Sequence, residues 1–421
     1  MAEVNLGHMK IVVQDLTLHA CVILVCMERI YLDYAAATPI DERAKAEILK
    51  YFSQEDGLFG NPGSLHSFGQ AAHRALENAR TTIAKELNAH HSEMLFFSSA
   101  TEANNFALRA VAKKYKQTTG KTPHIIISNI EHPSVSETVQ DMEVWGDAEV
   151  SVVPPGKVGE SIKENTALVS VIYVQNETGT VQDLKRIREI IDTEARLRNT
   201  EVRPSQTKAK PPRQICPLLH TDAAQGYLLS YDVQKLGVDL MTIASYKVYG
   251  PKGAAALYIR GEHTDVRDIV MPLMTGGSQE KSMRGGTQNI PAIMGFAKAM
   301  ELLGMHRNEE CNRLAELSSQ FIEGVKKGVP NVVLQGGEPY PASASRSPHI
   351  INLFFPDSEN FDKALDMAGV AASAGSACLQ RTAEKSTIVP EGSIRFSLGR
   401  YTTKEDIDEA VRRIILSYRK L

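Results

Sequence analysis

The sequence predicts an α/β fold, a mostly parallel sheet covered by helices, and three observations carry that expectation. Short continuous apolar runs recur between residues 94 and 259, stretches of helical periodicity separate them, and 421 residues suffice for two or three domains. The composition, 43% hydrophobic and 23% charged, suits a globular chain with a large core.

Taken in order, residues 1–28 read as an N-terminal extension. The apolar run Ala20 to Met27 (ACVILVCM) is well below the ~18 residues of a membrane span, and it ends without a small-residue cleavage site. Met27 directly precedes ERIYLDYAAATP, so residues 1–26 are expected to be dispensable. Between Phe68 and Leu87, the residues Ala72, Leu76, Ala79, Ile83 and Leu87 fall at spacings of three and four, which predicts an amphipathic helix. MLFF (94–97), HIIIS (124–128), VSVV (150–153), ALVSVIYV (167–174), LLHTD (218–222), LMTIA (240–244) and AALYI (255–259) then read as strands buried on both faces. The stretch Arg196 to Arg213, with six basic residues, one acid and three prolines, reads as an exposed loop. Beyond Asn289 a helical region runs to about Lys327. HIINLFF (349–355) and SIRFSL (393–398) read as strands, and Ile407, Val411, Ile414 and Tyr418 mark a final helix. The change of texture divides the chain into a large domain, 29–289, and a smaller α+β domain, 290–421.

Charge and cysteine usage narrow the function. With 47 Lys+Arg and 50 Asp+Glu the net charge is −3, which gives no global attraction to nucleic acid or an anionic membrane. Five cysteines (Cys21, Cys26, Cys216, Cys311, Cys378) without a CxxC pair argue against a disulfide framework and a zinc ribbon, so no metal is expected and the compartment is reducing cytoplasm. A small-molecule or protein substrate is expected.

Five strand ends carry residues that could do chemistry together. Lys247, in ASYKVYGPKG, sits at a strand end facing a Gly/Pro-rich turn, where a lysine can form a Schiff base. Asp222, in HTDAAQ, stands at the edge where open α/β sheets bind ligands. SSATEANN opens a helix, so the hydroxyls of Ser99 and Thr101 and the first backbone N–H groups form a natural phosphate cradle. His132 follows HIIIS, where an imidazole could stack on a ring, and Asn176 follows VSVIYV. Taken singly each has a plainer reading: a surface lysine, a helix cap, a structural histidine, a turn asparagine. Cys378 sits in SAGSAC among small residues that leave a thiol accessible, although a cysteine is by default a core residue.

The order of motifs is what is distinctive. YLDYAAATP, GNPGS, SSATEANN, EHPSV, QNETG, HTDAAQ, YKVYGPKGAAALYIR, GGSQEKSMRGGTQN, SAGSAC and SIRFSLGRYTT together resemble the cysteine desulfurase family, from about Ile30 to the C-terminus. The similarity is greatest to the housekeeping branch that supplies sulfur for iron-sulfur clusters and tRNA thiolation. The resemblance implies a fold-type I, aspartate-aminotransferase-like α/β enzyme using pyridoxal 5'-phosphate and L-cysteine. It implies Lys247 as the Schiff-base lysine, Asp222 as partner of the pyridine nitrogen and His132 as the stacking histidine. It also implies Asn176 and Gln225 at the ring and its O3′, and Ala100 and Thr101 at the phosphate. Thr287 would reach the phosphate of the other subunit of a homodimer. Arg395, assisted by Asn61, would pair with the substrate carboxylate, and Cys378 would be the catalytic cysteine, passing sulfur to an acceptor protein.

Two departures stand out. Most relatives have a histidine before the lysine and a phosphate-binding serine three residues before it; here these positions are Tyr246 and Ala244. Ser245 is therefore expected either to substitute as a hydroxyl donor or to leave one phosphate hydrogen bond missing. Only 14 residues, Leu379 to Gly392, separate Cys378 from SIRF, fewer than in housekeeping relatives, which puts the acceptor in question more than the reaction. The alternatives are a selenocysteine lyase, another lyase or aminotransferase of the same fold, or a non-catalytic scaffold; Cys378 weighs against a transaminase, and Lys247, Asp222, His132 and Arg395 against a scaffold.

Overall fold

A computed structural model of the chain describes residues 2–6, 9–14, 22–199, 217–261, 268–337, 345–356, 358–374 and 388–421. Strands β1 (Ala2–Leu6), β2 (Met9–Gln14) and β3 (Val22–Met27) form an antiparallel three-stranded sheet that the sequence reading did not anticipate. The short strand β4 (Ile30–Tyr31) and helices α1 (Glu42–Leu49) and α2 (Ser67–Glu86) follow.

The sheet strands appear where the apolar runs predict them. They are β5 (Met94–Phe97), β6 (His124–Ser128), β7 (Glu149–Val153), β8 (Thr166–Ser170), β9 (Leu218–Asp222), β10 (Leu240–Ala244) and β11 (Ala255–Ile259). Their order across the sheet is β5-β11-β10-β9-β8-β6-β7, with β11 alone antiparallel to its neighbours. Helices α3 (Ala100–Thr119), α4 (Pro133–Val144), α5 (Val158–Ser161), α6 (Leu184–Asn199) and α7 (Val233–Leu236) provide the crossovers. Parallel strands need such crossovers, and the two faces they cover explain why β5, β6, β8, β10 and β11 are buried at every position. Helix α6 runs on to Asn199, so the first residues of the expected loop at Arg196 are its last turn; residues 200–213 lie outside the described residues.

Helix α8 (Ile290–Gly328) begins at Asn289, whose side chain accepts from the Ala292 N–H, with Pro291 in the first turn. Its apolar face, Ile293, Phe296, Met300, Leu303, Leu314, Phe321 and Val325, is buried, and each such side chain contributes roughly 1.5–3 kcal/mol. It packs against α1, α2 and the last helix, α10 (Lys404–Tyr418). Strands β12 (Val333–Gln335), β13 (Ile350–Phe354) and β15 (Ser393–Ser397) form a second antiparallel sheet, while helix α9 (Phe361–Met367) leads to β14 (Val370–Ala371). The N-terminal segment joins this later part of the chain. Strand β4 pairs in parallel with β14, and Ser397 N donates to Leu32 O at 2.7 Å. Among the described residues no helix is long and apolar enough to cross a membrane, and no acidic, histidine or cysteine cluster could hold a metal.

Candidate active site

One cleft gathers the strand ends. Ser99, Ala100 and Thr101 follow β5, His132 follows β6, and Ile172 and Asn176 follow β8. Asp222, Ala224 and Gln225 come from β9, and Tyr246 and Lys247 follow β10. Ala35 and Ala36, from the N-terminal segment, and Arg395, from β15, complete the wall.

The phosphate-cradle residues stand at a helix start. Ser99 caps α3, its Oγ accepting from Glu102 N at 3.1 Å, and the first N–H groups of a helix have no intrahelical acceptor. His132 caps α4, accepting from Ser134 N at 3.1 Å through Nδ1, which leaves Nε2 to carry the proton. A chain of bonds joins His132 to Asp222. Nδ1 lies 2.8 Å from Ser134 Oγ, and Asn104 Nδ2 donates both to that oxygen, at 2.9 Å, and to Asp222 Oδ2, at 2.7 Å. The other Asp222 oxygen accepts from Ala224 N at 2.9 Å. Sequence reasoning missed Asn104, although it lies one turn beyond Thr101 in SSATEANN.

Lys247 Nζ donates to Ala35 O and, at 3.0 Å, to Ala36 O, with the Tyr246 ring centroid 4.7 Å away. Arg395 is almost wholly buried. Its Nη2 donates to Asp33 Oδ1 at 2.8 Å and Nη1 to Asn176 O at 2.9 Å, while Nε has no partner among the described residues. Arg395 lines the cleft, and among the described residues each of its terminal nitrogens has one acceptor and a second N–H that could serve an anion. Asn176 stands on a tight turn, Gln175 to Thr180, that requires Gly179: φ is +76° there, and a Cβ would sit 3.0 Å from that of Ile350.

Buried neighbours are held neutral. Burial pushes His220, between Ser170 Oγ and Thr242 Oγ1, down to about 4, and Glu131 up to about 8 with the Asp222 charge adding to the shift. Glu131 Oε1 accepts from Ser128 Oγ and from Ile172 N, the latter at 2.7 Å, so it braces the loops after β6 and β8. Between about 4.5 and about 8 the unfolded carboxyl is ionised and the folded one is not, so the folded state binds more protons and loses stability as pH rises through that window. Glu131→Gln does not titrate. Its thermal midpoint relative to wild type is expected to rise across the window, then level off above about 8.

Not every expected residue reaches this wall. Ser245 Oγ is buried against Gly250, a Cβ on which would lie 2.3 Å away, so the expectation that it replaces the missing phosphate hydroxyl is corrected. The cause is local. Residues 245–247 form a 3₁₀ turn at about 120° per residue, so Ser245 and Lys247 point apart instead of sharing a face as in a strand. Asn61 is exposed, with Oδ1 bound to Gly63 N at 2.9 Å, and Thr287 is exposed on the segment before α8. Neither lines this chain's own cleft. Cys378 lies outside the described residues.

Comparison with known proteins accounts for this arrangement. The aminotransferase class-V family matches residues 30–197 and 208–410. Cysteine desulfurase IscS 1 of Archaeoglobus fulgidus is 36% identical over 398 residues, 90% of this chain and 94% of that protein. Among solved structures, a NifS-like protein superposes with a TM-score of 0.78 at 28% identity, covering 93% of this chain and all of the other. SspA in complex with cysteine gives 0.70 at 27%, over 89% and 99% of the two chains. The chain therefore belongs to the class-V aminotransferase family and, within it, to the pyridoxal-phosphate-dependent cysteine desulfurases.

Proposed function

We propose that the chain converts L-cysteine to L-alanine and leaves the sulfur as a persulfide on Cys378, for delivery to an acceptor protein such as an iron-sulfur scaffold or a tRNA-thiolation enzyme. The observation that carries this reading is the meeting of Lys247, Asp222, His132 and Arg395 in one cleft. The donor set fits pyridoxal 5'-phosphate: helix N–H groups for a phosphate, a buried carboxylate for a protonated ring nitrogen, an amine between them and an imidazole for the ring face. When bound, the cofactor supplies an electron sink that makes the Cα proton of an attached amino acid acidic.

The chain's own groups do the rest. Lys247 would hold the cofactor covalently and, once displaced by substrate, take the Cα proton at Nζ, which Ala35 O and Ala36 O keep at the cleft. Asp222, oriented by Asn104 and Ala224 N, would keep the proton on the ring nitrogen. Ala100 and Thr101 would hold the phosphate, with Asn176 and Gln225 at the ring edge. Arg395 would bind the substrate carboxylate with the N–H groups that Asp33 and Asn176 leave free. Attack of the Cys378 thiolate on the substrate sulfur forms an S–S bond and breaks the Cβ–S bond; its electron pair stays with the carbon skeleton, which takes up a proton and leaves as alanine. Ser373 supports that reach. It exchanges backbone hydrogen bonds of 3.0 and 2.7 Å with Arg395, and Cys378 follows five residues later, a tether of at most ~17 Å.

We infer a homodimer, because Thr287 is exposed and does not line its own cleft, as a residue serving a partner subunit would be, and a cytoplasmic location, because the five cysteines show no disulfide pattern. The test of the function is alanine and sulfide release from L-cysteine in the presence of a thiol reductant, with selenocysteine in parallel. Equal release of both products from cysteine is expected. Release from selenocysteine alone would make the protein a selenocysteine lyase.

A further inference from the structure

We propose that His349 is a positioning residue for this cleft: it fixes the carboxamide of Gln225 so that an N–H, and not a carbonyl oxygen, faces the ligand. The inference rests on the function proposed above, in which Gln225 contacts the cofactor. His349 immediately precedes β13 and is fully buried, its ring edge to face with Tyr227 at a centroid distance of 4.8 Å.

The hydrogen-bond chain admits one consistent placement of protons. The carbonyl of Ala35 can only accept, so the Gln225 atom 2.8 Å from it is the amide nitrogen Nε2. Gln225 Oε1 then lies 3.3 Å from His349 Nε2, which must donate. His349 Nδ1 is left to accept, and Ser347 Oγ, 2.8 Å away, supplies the proton. Turning the carboxamide over would set its oxygen against the Ala35 carbonyl, and its NH₂ would face the imidazole N–H unless the ring also gave up the tautomer in which Ser347 Oγ donates to Nδ1. Burial, with Arg395, Lys247 and Arg346 nearby, pushes His349 down to about 3, so the ring is neutral at working pH and has a single N–H to give.

The consequence reaches the cleft. Gln225 Nε2 carries two hydrogens and uses one on Ala35 O; the other has no protein acceptor among the described residues, and Gln225 lines the cleft. A fixed donor there stabilises an anionic oxygen such as the ionised ring hydroxyl of the cofactor. With the cofactor held by Lys247, such a donor would favour the deprotonated form of the ring hydroxyl and its surroundings and so lower the pH at which the bound cofactor titrates.

The experiment is a pH titration of the visible absorbance of the holoenzyme, with cofactor affinity measured alongside. His349→Phe is expected to move the midpoint up by about half a unit or more, the worth of one lost hydrogen bond, and His349→Gln, which keeps a donor near the Nε2 position, to restore it. In a Gln225→Ala background His349→Phe should add nothing. A midpoint that moves in Gln225→Ala and stays put in His349→Phe overturns the relay. One unmoved in Gln225→Ala overturns the contact between Gln225 and cofactor on which the inference rests. If the His349 variants do not fold, Ser347→Ala decides, since an upward shift supports the chain of donors and an unchanged midpoint refutes it.

Discussion

Replacing Lys247 with alanine is expected to lower alanine formation from L-cysteine by about a thousandfold or more, a loss of roughly 4 kcal/mol of transition-state stabilisation. The lysine has two tasks in the proposed reaction, holding the cofactor and moving the Cα proton, and alanine can do neither. The fold should survive. The side chain is partly buried and its Nζ donates to the backbone carbonyls of Ala35 and Ala36, and Gln225 still donates to Ala35 O when the lysine is gone, so Ala35 O does not lose its partner. Borohydride reduction followed by peptide mass analysis gives the direct readout: the cofactor should be fixed to the peptide carrying Lys247 in the wild type and to no peptide in the variant. Turnover within tenfold of wild type would mean that another group takes the proton.

Cys378→Ser separates the sulfur step from the steps before it. Sulfide release and persulfide labelling should fall about a thousandfold or more, because a hydroxyl is far less nucleophilic towards sulfur than a thiolate. The cofactor spectrum, and its perturbation on adding L-cysteine, should stay as in wild type, since Lys247, Asp222 and Arg395 are untouched. A variant that still releases both products would place the nucleophile elsewhere. One that loses the cofactor as well would make the segment after Ser373 part of the binding site and not only a carrier.

The sheet was legible in the sequence because most of its strands, the edge strand β7 excepted, are covered on both faces. Buried parallel strands read as continuous apolar runs, and all seven runs became strands, five with the expected bounds and two, β7 and β8, with ends shifted by one to four residues. Lys247, Asp222, His132, Asn176 and Thr101 were legible for a related reason: each follows such a run closely, and parallel strands bring their carboxyl ends to one edge. Ser245 misled because two residues in a tight turn do not share a side as two residues in a strand do. Asn104, Glu131, Asp33 and His349 went unnoticed because their significance lies in partners distant in sequence: Asn104 with Asp222, Glu131 with Ile172, Asp33 with Arg395 and His349 with Gln225. The three N-terminal strands carried a weak signal, a single apolar run at residues 20–27, which by itself does not distinguish a strand from a buried helix turn.

The pairing of β4 with β14, and of Asp33 with Arg395, has a consequence for the protein's birth. Asp33 and Arg395 are 362 residues apart, so the segment that supplies Ala35 and Ala36 to the cleft is synthesised long before β15 and must wait for it before it can dock fully. The seven-stranded sheet, complete by Ile259, can form while that segment is still unattached. Cofactor capture is then a late event in biosynthesis, and nascent chains released short of β15 should accumulate with a formed sheet and an open cleft.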